Sequence, residues 1–293
     1  MKTVYQLRYA AHPDDARLYD TARLRRDFLI TSLFLPDQVS MVYSLYDRLV
    51  VGGAMPVAEE LLLEAIAPLR APFFTTRREL GIFNVGTAPG TVRVGDDTFT
   101  LAPKEALYVG AGDRPVVFGT AAPAAPVATV PGGSPAGTPL FYFNSAPAHT
   151  PYPCRLVTRA DALRAHLGAL DTSNERTINK MLVREVLPTC QLQMGMTELA
   201  PGSVWNTMPA HTHERRMEAY FYFDLPADQA VCHFMGRPDE TRHLWLHCHD
   251  AVLSPEWSIH SAAATHAYTF IWGMAGENLD YGDQDFVPIT GLR

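Results

Sequence analysis

Short apolar runs separated by turn residues set the rhythm of this chain. Residues 42–46, 81–85, 91–94, 98–101 and 106–109 carry the aliphatic and aromatic side chains that pleated strands favour. The second half repeats the style at residues 191–199, 219–223, 231–235, 243–247, 251–253 and 267–272. Gly95-Asp96-Asp97 predicts a tight hairpin turn between two of these runs. Helical patterning is confined to residues 57–66 and 159–170, the latter with Thr158 as its N-cap. Residues 121–139, rich in Ala, Pro and Gly, read as a surface loop. The pattern predicts an all-β fold with few short helices, built as sandwiches or barrels.

The style also repeats in detail. Arg77-Arg78-Glu79-Leu80-Gly81-Ile82-Phe83 resembles Arg215-Arg216-Met217-Glu218-Ala219-Tyr220-Phe221, and Glu105-Ala106-Leu107-Tyr108 resembles Asp250-Ala251-Val252-Leu253. Two tandem barrels follow, an N-terminal one over residues 1–150 and a C-terminal one over 151–293.

A chain of 293 residues, 47% hydrophobic and 19% charged, suits one large globular domain or two. The net charge of −7 and the lack of a Lys/Arg-rich run give no footprint for nucleic acid. The first residues lack the apolar run of a signal peptide, and no apolar stretch is long enough to span a membrane. Cys154, Cys190, Cys232 and Cys248 show no CxxC spacing and read as reduced thiols of a cytoplasmic protein.

Candidate chemistry concentrates in His211-Thr-His213-Glu-Arg-Arg-Met-Glu218 and a later Trp257-Ser-Ile-His260. Alternate side chains of a strand share a face, so His211 and His213 can point together, and later strands can bring Glu218 and His260 to them. Three imidazoles and one carboxylate suit Zn, Fe, Mn, Ni or Co by ligand type. They leave positions open on a five- or six-coordinate ion, as a catalytic site requires. In the superposed repeat these four positions fall on Phe73, Thr75, Leu80 and Pro115, none of which binds a metal. A second HxH, His247-Cys-His249, shares a strand face with His243 and Trp245. The plainer reading of that face is polar and partly exposed. The sharper one places His243 or His247 in the pocket.

The order HxHx(3–4)E followed by a distant His resembles the two cupin motifs. The likeness then sharpens. Asn206–Phe223, Phe234–His243, Ser258–Ser261 and Tyr268–Asn278 resemble the 5-keto-4-deoxyuronate isomerase family, as do Met41–Ser44, Val51–Gly53, Arg77–Gly81 and Ala106–Gly110. That resemblance implies a bicupin of two double-stranded β-helices. It implies one zinc per subunit in the C-terminal barrel on His211, His213, Glu218 and His260. It implies a homohexamer and a place in pectin and uronate catabolism. The activity it implies is a ketol isomerisation of 5-dehydro-4-deoxy-D-glucuronate to 3-deoxy-D-glycero-2,5-hexodiulosonate.

Such chemistry needs a base and an anchor for the substrate carboxylate. Glu218, Lys180, His243, His247, Glu214 and Glu277 are candidate bases. Arg176, Arg215, Arg216 and Arg242 are candidate forks for the carboxylate. Arg215 and Arg216 point oppositely on a strand, so at most one of them faces the pocket. Two other functions use the same ligands: an iron-dependent cupin dioxygenase, which would consume oxygen, and a non-catalytic sugar-binding cupin, which would bind without turnover.

Overall fold

In a computed structural model, which describes residues 3–121 and 137–293, the chain separates into two compact units. The first unit combines Met1–Arg8, Ser32–Ala162 and Met181–Gln193; the second combines Tyr9–Thr31, Leu163–Lys180 and Met194–Arg293. The single boundary expected near residue 150 is thus replaced by discontinuous units. The reason is legible in the buried polar groups. Glu79, fully buried in the first unit, accepts hydrogen bonds from the Cys190, Gln191 and Leu192 amides at 2.7–2.8 Å and from the Tyr108 hydroxyl at 2.7 Å. A buried carboxylate is tolerable only when so satisfied, and that need fixes residues 190–192 to the first unit. In the second unit the strand Leu29–Ile30 joins a sheet edge beside Ala251–Ser254. The helix Thr21–Phe28, capped by Asp20 accepting from the Arg23 amide at 2.8 Å, buries Leu24 and Phe28 there.

Each unit has a seven-stranded and a four-stranded sheet. In the first unit the larger sheet runs Thr3–Arg8, Gln38–Ser44, Val50–Met55, Phe141–Pro147, Arg78–Asn84, Ala106–Val109, Arg155–Val157. In the second it runs Leu163–Leu167, Arg176–Leu182, Gln193–Leu199, Thr269–Gly276, Arg216–Phe223, Ala251–Ser254, Leu29–Ile30. The central strands are buried on both faces, as the near-continuous apolar runs require. The smaller sheets alternate: in Gly90–Val94 the side chains of Val92 and Val94 are buried and those between them half-exposed. Gly95, at φ 60°, turns that strand into Asp97–Leu101, where the hairpin was expected.

The repeat is visible in strand register. Glu218 stands opposite Ser254, and Leu80 stands opposite Val109, at the matching places of the two units. Arg216 faces Gly276 as Arg78 faces Pro147. A Cβ on Gly195 would lie 2.1 Å from the Trp272 ring, and one on Gly52 would lie 2.2 Å from the Phe143 ring. Both glycines therefore admit an aromatic side chain into the barrel at equivalent positions. In the first unit that interior is filled: Leu80, Ile82, Phe118, Phe141 and Phe143 form one apolar cluster.

Neither expected helix forms. At residues 57–66, Asp37 accepts from the amides of Val57, Ala58 and Glu59 at 2.9–3.2 Å, holding the chain in a turn before the short strand Leu61–Leu62. At residues 159–170, Asp161 binds the Thr158 amide and hydroxyl, and Leu163–Leu167 becomes an edge strand paired with Arg176–Leu182. Tertiary pairing overrides helix propensity in both places. The loop expected at 121–139 falls mostly outside the described residues. All four cysteines are free, and no helix of the described residues is long and apolar enough to cross a membrane.

Replacing Glu79 by Ala strips the acceptor from four donors, two of them fully buried. The expected loss is at least about 3 kcal/mol of stability, read from the denaturant midpoint. A midpoint shift of only a few tenths of that size would show that this carboxylate does not hold the segment.

Candidate metal centre

The ligand-bearing residues come from three places in the second unit. His211 sits on the two-residue strand His211–Thr212, which pairs with Asp285–Phe286 so that His211 lies opposite Phe286. His213 lies in the turn that follows, where the Arg216 amide bonds the His213 carbonyl at 3.0 Å. Glu218 points inward from Arg216–Phe223, and His260 immediately precedes Ser261–Ala264. The four expected side chains meet: one ligand atom from each lies within 4.8 Å of the others, and all four residues are buried.

The donor geometry fits a cation. His260 Nε2 lies 2.9 Å from His211 Nε2 and 2.9 Å from Glu218 Oε2, and His213 Nε2 lies 3.0 Å from Glu218 Oε2. Ligands held at about 2.1 Å and at right angles around one ion stand about 3.0 Å apart. The ring nitrogens turned away are also employed. His213 Nδ1 is 2.9 Å from the Arg216 carbonyl, so it donates, and Nε2 presents its lone pair to the centre. His260 Nδ1 lies 3.3 Å from Ser254 Oγ, which likewise turns its Nε2 inward.

Electrostatics show what the cluster wants. Burial alone would raise the Glu218 carboxyl, but His260 and the hydrogen bonds from His213 and His260 hold it well below the usual range. Burial works to lower His213, yet the Glu218 carboxylate raises it. His211 is pushed down to about 2, by burial first and by His260 second. Without a cation, positive charge must be supplied by protons on imidazole; a divalent ion replaces those protons.

Beside the ligands opens a cavity of about 230 Å³. His211, Glu218, Tyr220, Arg176, Thr197, Thr207, Trp272, Tyr281, Gln284 and Phe286 are among its walls. Of the four arginines considered, Arg176 alone is in that wall; its Nη1 donates to the Asn174 carbonyl at 2.9 Å, and burial lowers its pKa. Arg215 instead bridges Asp283 and Asp285 at 2.6 and 2.8 Å. Arg216 is fully buried behind the ligands, donating to the Asp283 carbonyl at 3.3 Å. Arg242, on Glu240–Leu246, pairs with Glu240 and with the Arg17 carbonyl.

The candidate bases divide as sharply. His243 and Trp245 are exposed while Leu244 and Leu246 are buried, so the polar-face reading of that strand holds. His247 is exposed, with its amide on Asp250. Glu214 and Glu277 are exposed. Lys180 lies 3.9 Å over the Tyr281 ring, outside the cavity wall. Outward strand faces and turns carry His243, His247, Glu214 and Glu277 away from the cavity, whereas Lys180 shares its strand face with the wall residues Arg176 and Ile178. Tyr220 is the residue sequence reasoning missed. It follows Glu218 by two positions on one strand, so face alternation alone could have named it. Its hydroxyl lies 3.1 Å from Thr207 Oγ1, and burial raises its pKa well above normal. Tyr281 and Gln284 come from irregular backbone, and Phe286 from the strand Asp285–Phe286, too short for a periodic signal.

Comparison with known proteins agrees with this construction. The chain is 66% identical over all 293 residues, covering the whole of both chains, to 4-deoxy-L-threo-5-hexosulose-uronate ketol-isomerase 1 of Bacteroides thetaiotaomicron. It is 53% identical over 293 residues, again the whole of both chains, to the Formosa agariphila ketol-isomerase of that name. Among solved structures, an IolB-like protein of Salmonella typhimurium LT2 superposes with a TM-score of 0.63 at 14% identity, covering 82% of this chain and 87% of that one. Lactobacillus farciminis oxalate decarboxylase superposes with a TM-score of 0.54 at 10% identity, covering 82% and 79%. The expected all-β cupin architecture therefore holds. The KduI/IolB family profile matches residues 70–288, and with relatives this similar along its whole length, the chain belongs to the KduI/IolB family.

Proposed function

We propose that this protein is a zinc-dependent ketol-isomerase. It converts 5-dehydro-4-deoxy-D-glucuronate to 3-deoxy-D-glycero-2,5-hexodiulosonate in uronate catabolism. The observation that carries the reading is a buried set of three histidines and one glutamate opening onto a cavity that also contains one guanidinium. The relatives' names support a ketol-isomerisation of a hexosulose uronate. A divalent cation on His211, His213, Glu218 and His260 supplies Lewis-acid polarisation of neighbouring substrate oxygens. Zinc is our assignment; iron, manganese, nickel and cobalt accept the same donors.

The protein's own groups do the rest. Arg176 receives the substrate carboxylate, since it is the guanidinium in the cavity wall and its fork matches that group. The isomerisation moves a proton between adjacent carbons, and the carboxylate in the cavity wall is Glu218. We assign it that transfer in addition to its place in the ligand set. Tyr220 keeps its proton and donates a hydrogen bond toward a substrate oxygen. The segment bearing Tyr281, Gln284 and Phe286 forms a strap over the cavity. It is tied down by the Arg215 bridges to Asp283 and Asp285, by Asn278 Nδ2 donating to Asp283 at 2.6 Å, and by the Val287 amide on the Ala210 carbonyl at 2.9 Å.

Incubation with the lyase-derived uronate, followed by NMR, should show conversion to the diulosonate with no oxygen uptake. His260→Ala should abolish both bound metal and turnover while leaving the fold intact. Oxygen consumption coupled to substrate loss would favour the dioxygenase instead, and tight binding without turnover the sugar-binding module. Arg176→Ala should raise KM by roughly 30-fold, about 2 kcal/mol, with a smaller effect on kcat; an unchanged KM would remove Arg176 from carboxylate recognition. Arg215→Ala should raise KM several-fold at unchanged metal content and speed proteolysis within residues 278–287. If neither changes, the strap does not depend on that guanidinium.

A further inference from the structure

The first unit has a cavity of its own, and an arginine is buried at it. Arg78 is 5% exposed. Its guanidinium donates only to neutral oxygens: Ser145 Oγ at 3.0 Å, the Ser145 carbonyl at 2.7 Å and the Arg48 carbonyl at 2.6 Å. Among the described residues no carboxylate pairs with it. Glu79, its chain neighbour, is occupied by four donors of its own. Burial pushes Arg78 down to about 10, with Tyr43 and Glu79 working against the shift.

The second unit shows what is missing. Arg216, at the matching register, has the negative charges of Glu218 and Asp283 beside it. Leu80 stands where Glu218 does, so the first unit lacks the carboxylate two positions beyond the arginine, and Glu79 is the acidic group left near Arg78. A cavity of about 340 Å³ opens against Arg78 and Arg77, with no acidic residue in its wall. Arg77 spends its Nη2 on the Leu69 and Arg70 carbonyls at 2.6 and 3.0 Å, so it too has only neutral partners there. Pro68, Phe74 and Pro147 give the cavity apolar sides, and the Tyr43 ring stands 5.8 Å from the Arg78 guanidinium.

We propose that this pocket in the first unit binds the carboxylate of a small organic acid, with Arg78 and Arg77 as its charged partners and Pro68, Phe74 and Pro147 against its body. Two guanidiniums whose hydrogen bonds go only to neutral oxygens attract an anion, and the apolar sides select an organic acid over free phosphate.

The test uses the full-length, metal-loaded protein with D-galacturonate, its uncharged methyl ester and inorganic phosphate as probes, read by calorimetry. Galacturonate should bind saturably, and the ester should not bind at this pocket. Arg78→Lys should weaken the galacturonate event at least about tenfold, because the planar fork is lost. Ala71→Trp, which fills the rim without touching a charge, should abolish the event while isomerase turnover is retained; it decides the matter if Arg78→Lys fails to fold. Absence of saturable binding, equal binding of the ester, phosphate binding without galacturonate binding, or a galacturonate event unaffected by Ala71→Trp would each overturn the proposal.

Discussion

A carboxylate taken out of water must have positive charge beside it, and the second unit is arranged around that requirement. Glu218 is 4% exposed at the centre of a barrel whose nearest polar neighbours are imidazoles. It cannot stay ionised there alone. The three rings can answer the demand with protons, or all four side chains could share one divalent ion. The Arg216 carbonyl and Ser254 hydroxyl hold two of the rings with their inner nitrogens free. The two-residue ribbon between His211–Thr212 and Asp285–Phe286 places the remaining one. Cavity, strap and candidate chemistry all follow from where that charge sits.

The first unit shows the same scaffold with the requirement removed. Its strands match in order and register, yet Leu80 replaces the carboxylate, and Phe141 and Phe143 fill the interior. An apolar interior needs no ion and leaves no room for one. What survives of the polar design is the buried Arg78, which hydrogen-bonds only neutral oxygens.

Much of the fold was legible because strand burial writes itself into composition. The strands of the repeat, the Gly95 hairpin and the meeting of His211, His213, Glu218 and His260 could be placed from alternation and motif order. The ligand set could be read because chemistry restricts it to a few residue types. What failed did so where local pattern competes with tertiary demand. The amides of residues 57–59 answer to Asp37, and Leu163–Leu167 answers to a neighbouring strand, so neither segment is helical. The exchange of residues 9–31 and 181–193 between units rests on long-range contacts such as the Glu79 bonds, which leave no periodic trace. Choosing among Arg176, Arg215, Arg216 and Arg242 required knowing which faces point inward, and sequence narrows that only within one strand. Tyr220 could have been found by that rule, whereas Tyr281 and Gln284, on irregular backbone, could not.

The central claim is that one cation on these four side chains carries the isomerisation. It is tested most directly by stripping the protein with a chelator and titrating zinc back while NMR follows the uronate. Turnover should be absent at the start, rise in proportion to zinc, and level off at one ion per chain. Full turnover by the stripped protein, or saturation unrelated to that stoichiometry, would contradict it.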